Sequence, residues 1–451
     1  MFTFRYIALA LVFSAFFCAC TKDLKRGYET KQDDSYVTGK PNFLFIISDD
    51  IGYEIPTCNG GESYETPNID FLAQTGVRFT QAHSSPLCAP SRVALLTGKY
   101  NFRNYEKWGY LRPDYRTIGN VFRNNDYATC YVGKWQLDGG DVAIKGFGWQ
   151  QYCVWLPFLL PQENMAGSKY KNPNLYQNGE YLPDSVTLGK YSEDIYTDKI
   201  IEFINGANEI GKPFFVYYSM GLCHAPFSPT PDDSAFTTWD ENSGGDPVYF
   251  PSMVKYMDKK IGQLYSFLDS ANLLENTIIV FVGDNGTPPA IKSKWNGEII
   301  KGGKHNPNEP GTNVPLIVNW KNNISPAVYD NLIDFTDFAP TLTNLANIPI
   351  TINDSLDGVS FSSLILNGDT SNLRRMIFNS LNPEADLPER NWNRWVQNEN
   401  YKLYDSNSRR TFFRFVKISK CHVDSYNLTN PTPQEKELRD EFMNVLRRYH
   451  P

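Results

Sequence analysis

From Pro41 onward the chain alternates short, unbroken apolar runs with longer stretches that are apolar on one side only. Asn42–Ser48 (N-F-L-F-I-I-S) is apolar between its ends, as expected of a central parallel strand covered on both faces. Comparable runs occur at Tyr127–Val132, Phe214–Ser219, Thr277–Val282 and Pro315–Val318. Between them lie helical stretches, Val93–Thr97 and Ser252–Ser270. The second places Met253, Tyr256, Met257, Ile261, Leu264 and Leu268 along one face. This alternation predicts an α/β fold, a doubly wound, mixed or mostly parallel sheet flanked by helices. The segment Asn347–Asp369, rich in Pro, Gly, Asn and Asp, reads as a break. Beyond it, Met376–Ser380, Arg394–Leu403 and Phe412–Ile418 read as antiparallel strands, and Pro433–Tyr449 as a closing helix. The main domain is therefore expected over residues 41–360, and a smaller C-terminal α+β subdomain over 370–451.

The N-terminus follows another pattern. Arg5 is the only charge before Lys22, and Ile7–Cys18 is nearly continuous apolar sequence. That run is too short to span a bilayer as a helix and reads as the core of an export signal over residues 1–19. It ends in Cys18-Ala19-Cys20, which resembles a bacterial lipoprotein processing site with Cys20 as the lipidated residue. Phe17 stands where that pattern prefers Leu, so a plain cleaved signal is the alternative. Residues 20–40, polar and charged, read as a tether from a membrane lipid anchor. The expected location is outside the cytoplasm, on the periplasmic or the surface-facing side of a membrane.

Charge and cysteine content narrow the function classes. Lys and Arg number 43 against 50 Asp and Glu, a formal net charge of -7. A nucleic-acid partner is not expected, because such binders carry a basic excess. Eight cysteines in 451 residues are too few for a disulfide scaffold, and no C-x-x-C pair suggests zinc.

In a doubly wound fold, ligands sit beyond the carboxyl ends of the strands. The first strand runs into Asp49-Asp50, and T-I-I-V-F-V runs into Gly283-Asp284-Asn285-Gly286. Adjacent carboxylates at a buried strand end repel one another and lose solvation, so something must compensate. Either pair alone fits a polar turn. Together, on one sheet edge, they fit a hard divalent cation, Ca²⁺ or Mg²⁺, which takes oxygen ligands. Cys88-Ala89-Pro90-Ser91-Arg92 precedes an apolar helical run, which places Cys88 at a helix N-terminus favourable to anions. On physics alone Cys88 is either an activated thiolate or a small buried residue.

Cys88–Arg92 with Leu96-Thr97-Gly98 matches C-x-P-S-R-x-x-x-L-T-G, and the sequence here resembles the type I sulfatases of the alkaline phosphatase superfamily. The resemblance covers most of residues 41–420. It implies that Cys88 is oxidised to formylglycine by a formylglycine-generating or anaerobic sulfatase-maturating enzyme. It implies Asp49, Asp50, Asp284, Asn285 and the modified residue 88 as calcium ligands, and Arg92 as the holder of the formylglycine hydrate. Lys134 in G-K-W-Q-L and Lys304 in K-H-N-P-N-E-P-G-T-N-V-P fall on sulfate-binding lysines, and His224 in C-H-A-P-F on the family histidine. Gln136 occupies the position where many members carry a histidine that contacts the hydrate; glutamine hydrogen-bonds there but takes up no proton. Asn313 stands where Arg or His usually precedes the Val-Pro pair.

The implied chemistry is hydrolysis of a sulfate monoester. The hydrate attacks sulfur, Lys134 and Lys304 stabilise the sulfuryl oxygens, and His224 is the candidate general acid, with Lys304 near the same bridging oxygen. The expected substrate is a sulfated polysaccharide or glycosaminoglycan oligosaccharide. Two other readings stay open from sequence: a phosphodiesterase or phosphonate monoester hydrolase of the same superfamily, and a non-catalytic lipoprotein that binds sulfated glycans. His83 is read as pocket wall or structural, His305 as a residue either facing substrate or not, and His422 and His450 as structural or exposed. Tyr152–Phe158 reads as core, with Trp155 as an alternative sugar-stacking residue.

Overall fold

β1 (Asn42–Ser48) is buried at every residue and takes parallel partners on both sides. The computed structural model describes residues 39–157, 167–349, 355–382, 392–406, 413–418 and 428–449. The signal segment 1–19, Cys20, most of the 20–40 tether, Phe158, Phe412, His422 and His450 lie outside the described residues.

After β1 come β2 (Val77–His83), β3 (Ala128–Lys134), β4 (Gln151–Trp155), β5 (Tyr176–Gln177), β6 (Glu180–Tyr181), β7 (Phe214–Ser219) and β8 (Thr277–Gly283). A ribbon of β9 (Lys292–Trp295) and β10 (Glu298–Lys301) follows, then β11 (Asn313–Asn319) and β12 (Ala327–Asp334). The large sheet has ten strands in the order β12-β2-β11-β8-β1-β7-β3-β4-β5-β6. Strands β8, β1, β7 and β3 are parallel, as the apolar runs predict, and β4, within the segment read as core, adds a further parallel strand. The run read as Pro315–Val318 is longer, Asn313–Asn319, and runs antiparallel to both β2 and β8.

The helices that matter here are α1 (Pro67–Gln74), α2 (Cys88–Thr97), α3 (Ser192–Glu209), α4 (Phe250–Ser270), α5 (Phe338–Leu345) and α6 (Pro433–Arg448). Alternate residues of β1 enter two separate cores. Phe43, Phe45 and Ile47 pack with Val93 of α2 and Phe338 and Leu342 of α5. Leu44 and Ile46 pack with Ile69 of α1, Ile195 and Ile200 of α3, and Met253, Met257 and Ile261 of α4. Each such side chain contributes roughly 1.5–3 kcal/mol of transfer free energy. The segment read as a break includes a short helix, Ser362–Asn367, whose Leu364 and Ile365 join the first of these cores.

A second, antiparallel sheet has the order β13 (Ile377–Leu381), β14 (Asn393–Gln397), β15 (Tyr401–Tyr404) and β16 (Arg414–Lys417). Phe442 and Leu446 of α6 pack on its Phe378, Val396, Leu403 and Phe415. The single strand expected over Arg394–Leu403 is two strands. The Asn398 carboxamide oxygen accepts from the backbone N–H of Asn400 (3.0 Å) and Tyr401 (2.8 Å), which turns the chain back on itself.

Candidate active site

The carboxyl ends of β1, β8, β3 and β7 meet at one edge, and the sheet register sets which side chains meet there. Ser48 pairs with Gly283, so Asp49 and Asp284 emerge side by side. Asp284 N donates to Ser48 O (3.0 Å) and Asp50 N to Asp284 Oδ1 (2.9 Å). Asp50 adopts φ +62°, a left-handed conformation that costs a non-glycine residue roughly 1–2 kcal/mol. Its carboxylate is held from both sides, by Asn285 Nδ2 at Oδ1 (2.7 Å) and by Lys304 Nζ at Oδ2 (2.7 Å). Gly283 makes the turn possible, since a Cβ there would sit 2.2 Å from Ile51 O.

Cys88 is the first residue of α2, and Arg92 follows it by one helical turn on the same face. Arg92 Nε lies 2.9 Å from Asp284 Oδ2, its Nη2 3.8 Å from Asp49 Oδ1, and its Nη1 bonds Ser219 Oγ at the end of β7. Ser219 Oγ in turn donates to Lys134 O (2.6 Å). Lys134 ends β3, and its Nζ reaches Asp49 Oδ2 at 2.7 Å. Gly133 lets β3 run that close to β7: its φ is +103°, and a Cβ would meet Ser219 O at 2.0 Å. Gln136 Oε1 lies 4.0 Å from Cys88 Sγ.

Two loops complete the edge. The backbone of Asp49 is bonded to the 222–223 segment through Asp49 N to Leu222 O (2.7 Å) and Cys223 N to Asp49 O (2.6 Å). This brings half-buried His224 within 3.8 Å of Asp50 Oδ2 through Nε2, while its Nδ1 stands 2.6 Å from Ala225 O. The loop before β11 is tied down by Lys304 N to Thr287 O (3.0 Å) and His305 N to Pro86 O (2.9 Å). The structure thus brings Asp49, Asp50, Cys88, Arg92, Lys134, Gln136, His224, Asp284, Asn285 and Lys304 to one place. Exposed His305 lies on the rim. Asn313 opens β11 and donates to Thr80 O (3.3 Å). His83 is buried beside Gln81 and Gln397, so it is structural, and burial with nearby Lys402 lowers its pKa to about 3.

Lys134 and Lys304 are therefore not surface lysines; each is buried against a carboxylate. Three groups at or beside the site carry no sequence motif. Ser219 belongs to a strand end, where inspection is warranted by the fold. Lys169 and Glu193 are buried beneath Asp49 and have no local signal. Lys169 Nζ lies 3.5 Å from Asp49 Oδ2, and Glu193 accepts from Gly221 N (3.0 Å) and from Tyr218 Oη.

The electrostatics follow from burial and proximity. Burial works against the Asp49 carboxylate, but the cations Lys134, Lys169 and Arg92 hold its pKa well below the usual range. Burial dominates at Asp284, raising it to about 6 despite Arg92. Burial, reinforced by Lys169 and Lys134, lowers His224 to about 3, so its imidazole is neutral at pH 7. Burial pushes Lys304 down, but Asp50 outweighs it and the ammonium is retained.

Two oxygens bear on metal binding. Asp49 Oδ1 and Asn285 Oδ1 are buried and accept no hydrogen bond, which is costly for a polar atom unless a cation takes it. Cys88 Sγ lies within 4.8 Å of the carboxylate oxygens of Asp49 and Asp284. Asp49, Asp50, Asp284 and Asn285 offer oxygen donors of the kind a hard divalent ion takes, and His224 and Cys88 each stand within 4.8 Å of two of these carboxylates.

The sulfatase family model matches residues 41–348, most of the chain. The chain belongs to the sulfatase family. As a type I sulfatase of the alkaline phosphatase superfamily, it is a sulfuric ester hydrolase. The sulfatase is 29% identical to arylsulfatase A of Homo sapiens over 377 residues, covering 76% of this chain and 71% of the relative. It is 26% identical over 441 residues to the N-acetylgalactosamine-6-O-sulfatase of Bacteroides thetaiotaomicron, covering 81% of this chain and 84% of the relative. Its fold matches the structure of BT4656 in complex with its substrate D-glucosamine-2-N, 6-O-disulfate. There the TM-score is 0.72 at 18% identity, with 91% of this chain and 97% of that one covered. The mixed ten-stranded sheet and the small antiparallel C-terminal sheet are thus those of sulfatase folds.

Proposed function

We propose that this sulfatase removes sulfate from sulfated glycosaminoglycan or polysaccharide oligosaccharides, using residue 88 as formylglycine and a bound Ca²⁺ or Mg²⁺. The observation that carries this reading is the place of Cys88, the first residue of α2, with Sγ within 4.8 Å of Asp49 and Asp284 oxygens. With residue 88 converted to formylglycine, an oxygen of its hydrate would take the place of Sγ. Asp49, Asp50, Asp284 and Asn285 would hold the ion, which supplies Lewis-acid polarisation and charge neutralisation. Arg92 keeps Asp284 and Asp49 in register, and Gln136, 4.0 Å from Cys88 Sγ, would offer a group at residue 88 a neutral hydrogen-bonding partner that shuttles no proton. Lys134 and Lys304 turn from their carboxylates to the sulfuryl oxygens, which they stabilise as charge develops. His224 Nε2 and Lys304 Nζ both face Asp50 Oδ2, at 3.8 and 2.7 Å, which places His224 as general acid for the leaving oxygen with Lys304 beside the same atom.

The carbohydrate class rests on the relatives, two of which act on sulfated amino sugars by name. The apolar run Ile7–Cys18 and Cys20 support export and lipid anchoring. The test is parallel assay of the purified enzyme, carrying formylglycine by mass spectrometry of the residue-88 peptide, on aryl sulfate, aryl phosphodiester and a panel of desalted sulfated oligosaccharides. Sulfate release is expected from the aryl sulfate and from members of the panel. Preferential phosphodiester cleavage would overturn the substrate reading.

A further inference from the structure

Lys169 places an ammonium group where water does not reach. Its side chain is 5% exposed, and Nζ has no hydrogen-bond acceptor. The rings of Trp155 and Tyr170 flank it at 5.3 and 5.0 Å. One face of Trp155 is thereby occupied by a cation. Glu193, fully buried, is the second acid nearby, but its Oε1 is engaged by Gly221 N (3.0 Å). A buried ammonium without an acceptor is costly, so its retention calls for a use.

The oxygen that Lys169 faces, Asp49 Oδ2 at 3.5 Å, is held by Lys134 Nζ at 2.7 Å. Yet Lys134 is the residue that must also stabilise the substrate's sulfuryl oxygens. Once Lys134 turns to an anion, Asp49 Oδ2, itself fully buried, loses its nearest donor. The backbone of Asp49 is pinned on both sides by the 222–223 segment, so the carboxylate would be left free only to rotate. A sub-ångström approach by Lys169 would replace the lost bond. We propose that Lys169 is a positioning residue that takes over Asp49 Oδ2 when Lys134 engages the sulfate group, keeping Asp49 Oδ1 turned to the metal. The inference rests on the sulfatase reading for the part played by Lys134.

The test compares Lys169→Met, Lys169→Gln and Lys169→Arg in the full chain. Calcium affinity is measured calorimetrically with and without saturating inorganic sulfate, beside kcat and KM on an aryl sulfate. Without sulfate, Lys134 still holds Asp49, and the neutral variants bind calcium like the parent. With sulfate, their calcium affinity falls roughly 10–100-fold, kcat falls in step, KM changes little, and the arginine variant recovers both. A lysine that merely balanced buried charge would lower the melting temperature and leave the coupling between sulfate and calcium intact. That outcome in either neutral variant overturns the proposal. Binding is read without turnover, so an inactive parent would count against the sulfatase reading alone.

Discussion

Asn285 Nδ2 donates to Asp50 Oδ1 across 2.7 Å, and that bond leaves the Asn285 amide oxygen buried without a donor. The same residue thus orients one proposed metal ligand and is itself proposed as another. Replacing it with leucine, which matches its size but has no donor or acceptor, removes both functions. We expect Asn285→Leu to lower divalent-ion affinity by at least the roughly 10–100-fold typical of a supporting residue. Calorimetric titration with Ca²⁺ and Mg²⁺ checks this, and unchanged affinity for both would place the ion elsewhere.

Cys88→Ala removes one sulfur from a helix start and leaves the hydrogen bonds of α2 in place. The fold should persist, with a circular dichroism spectrum like the parent's, while turnover of aryl sulfate disappears. Retained turnover in this variant is incompatible with a formylglycine mechanism.

Glu193 gives a pH signature unrelated to turnover. Burial raises its pKa from the usual 4.5 to about 7. Because the folded carboxyl is the weaker acid, its contribution is complete below pH 4.5 and is lost as pH rises towards 7. The loss is on the order of 3 kcal/mol. Glu193→Gln keeps an acceptor for Gly221 N and removes the titration. Urea denaturation at pH 5 and pH 8 should therefore show a smaller drop for the variant than for the parent. Equal drops would mean that Glu193 stays ionised in the fold.

Lys402 of β15 is wholly buried, with Nζ 3.5 Å from Glu309 Oε1 in the loop that carries Lys304. Lys402→Met should cost about 1–3 kcal/mol, because buried Glu309 loses its cation and keeps Gln397 Nε2 at 3.5 Å as a neutral donor. The Lys402→Met, Glu309→Gln pair should recover most of that loss. A double-mutant cycle with no coupling term would show that the two charges do not sense each other.

The parts of the fold legible in the sequence are those buried on both faces. β1, β7 and β8 are continuous apolar runs because helices cover both sides of the sheet. β2 and β12 lie towards one edge and alternate between buried and partly exposed residues, so V-R-F-T-Q-A-H carries no such run. The break at Asn398 was foreshadowed by Q-N-E-N, four polar residues in the midst of a supposed strand. In the site, residues inside motifs were readable because chemistry restricts the residue types there. Lys169 was not, since its meaning comes from Asp49, 120 positions earlier in the numbering, and from two rings brought up by packing. Spatial partners of this kind leave no trace in a local window.

The reversed direction of β11 has a consequence for how such a pocket can change. Its neighbours β8 and β2 leave the sheet at the site edge, whereas β11 enters there. The wall carrying Lys304 and His305 is therefore a span moored at both ends, by Thr287 and Pro86 on one side and by strand pairing on the other. Insertions in its middle, near Asn306 and Asn308, would reshape the rim while the register beneath it stays put. New substrate preferences can thus arise at this span without renegotiating the arrangement of the charged groups below.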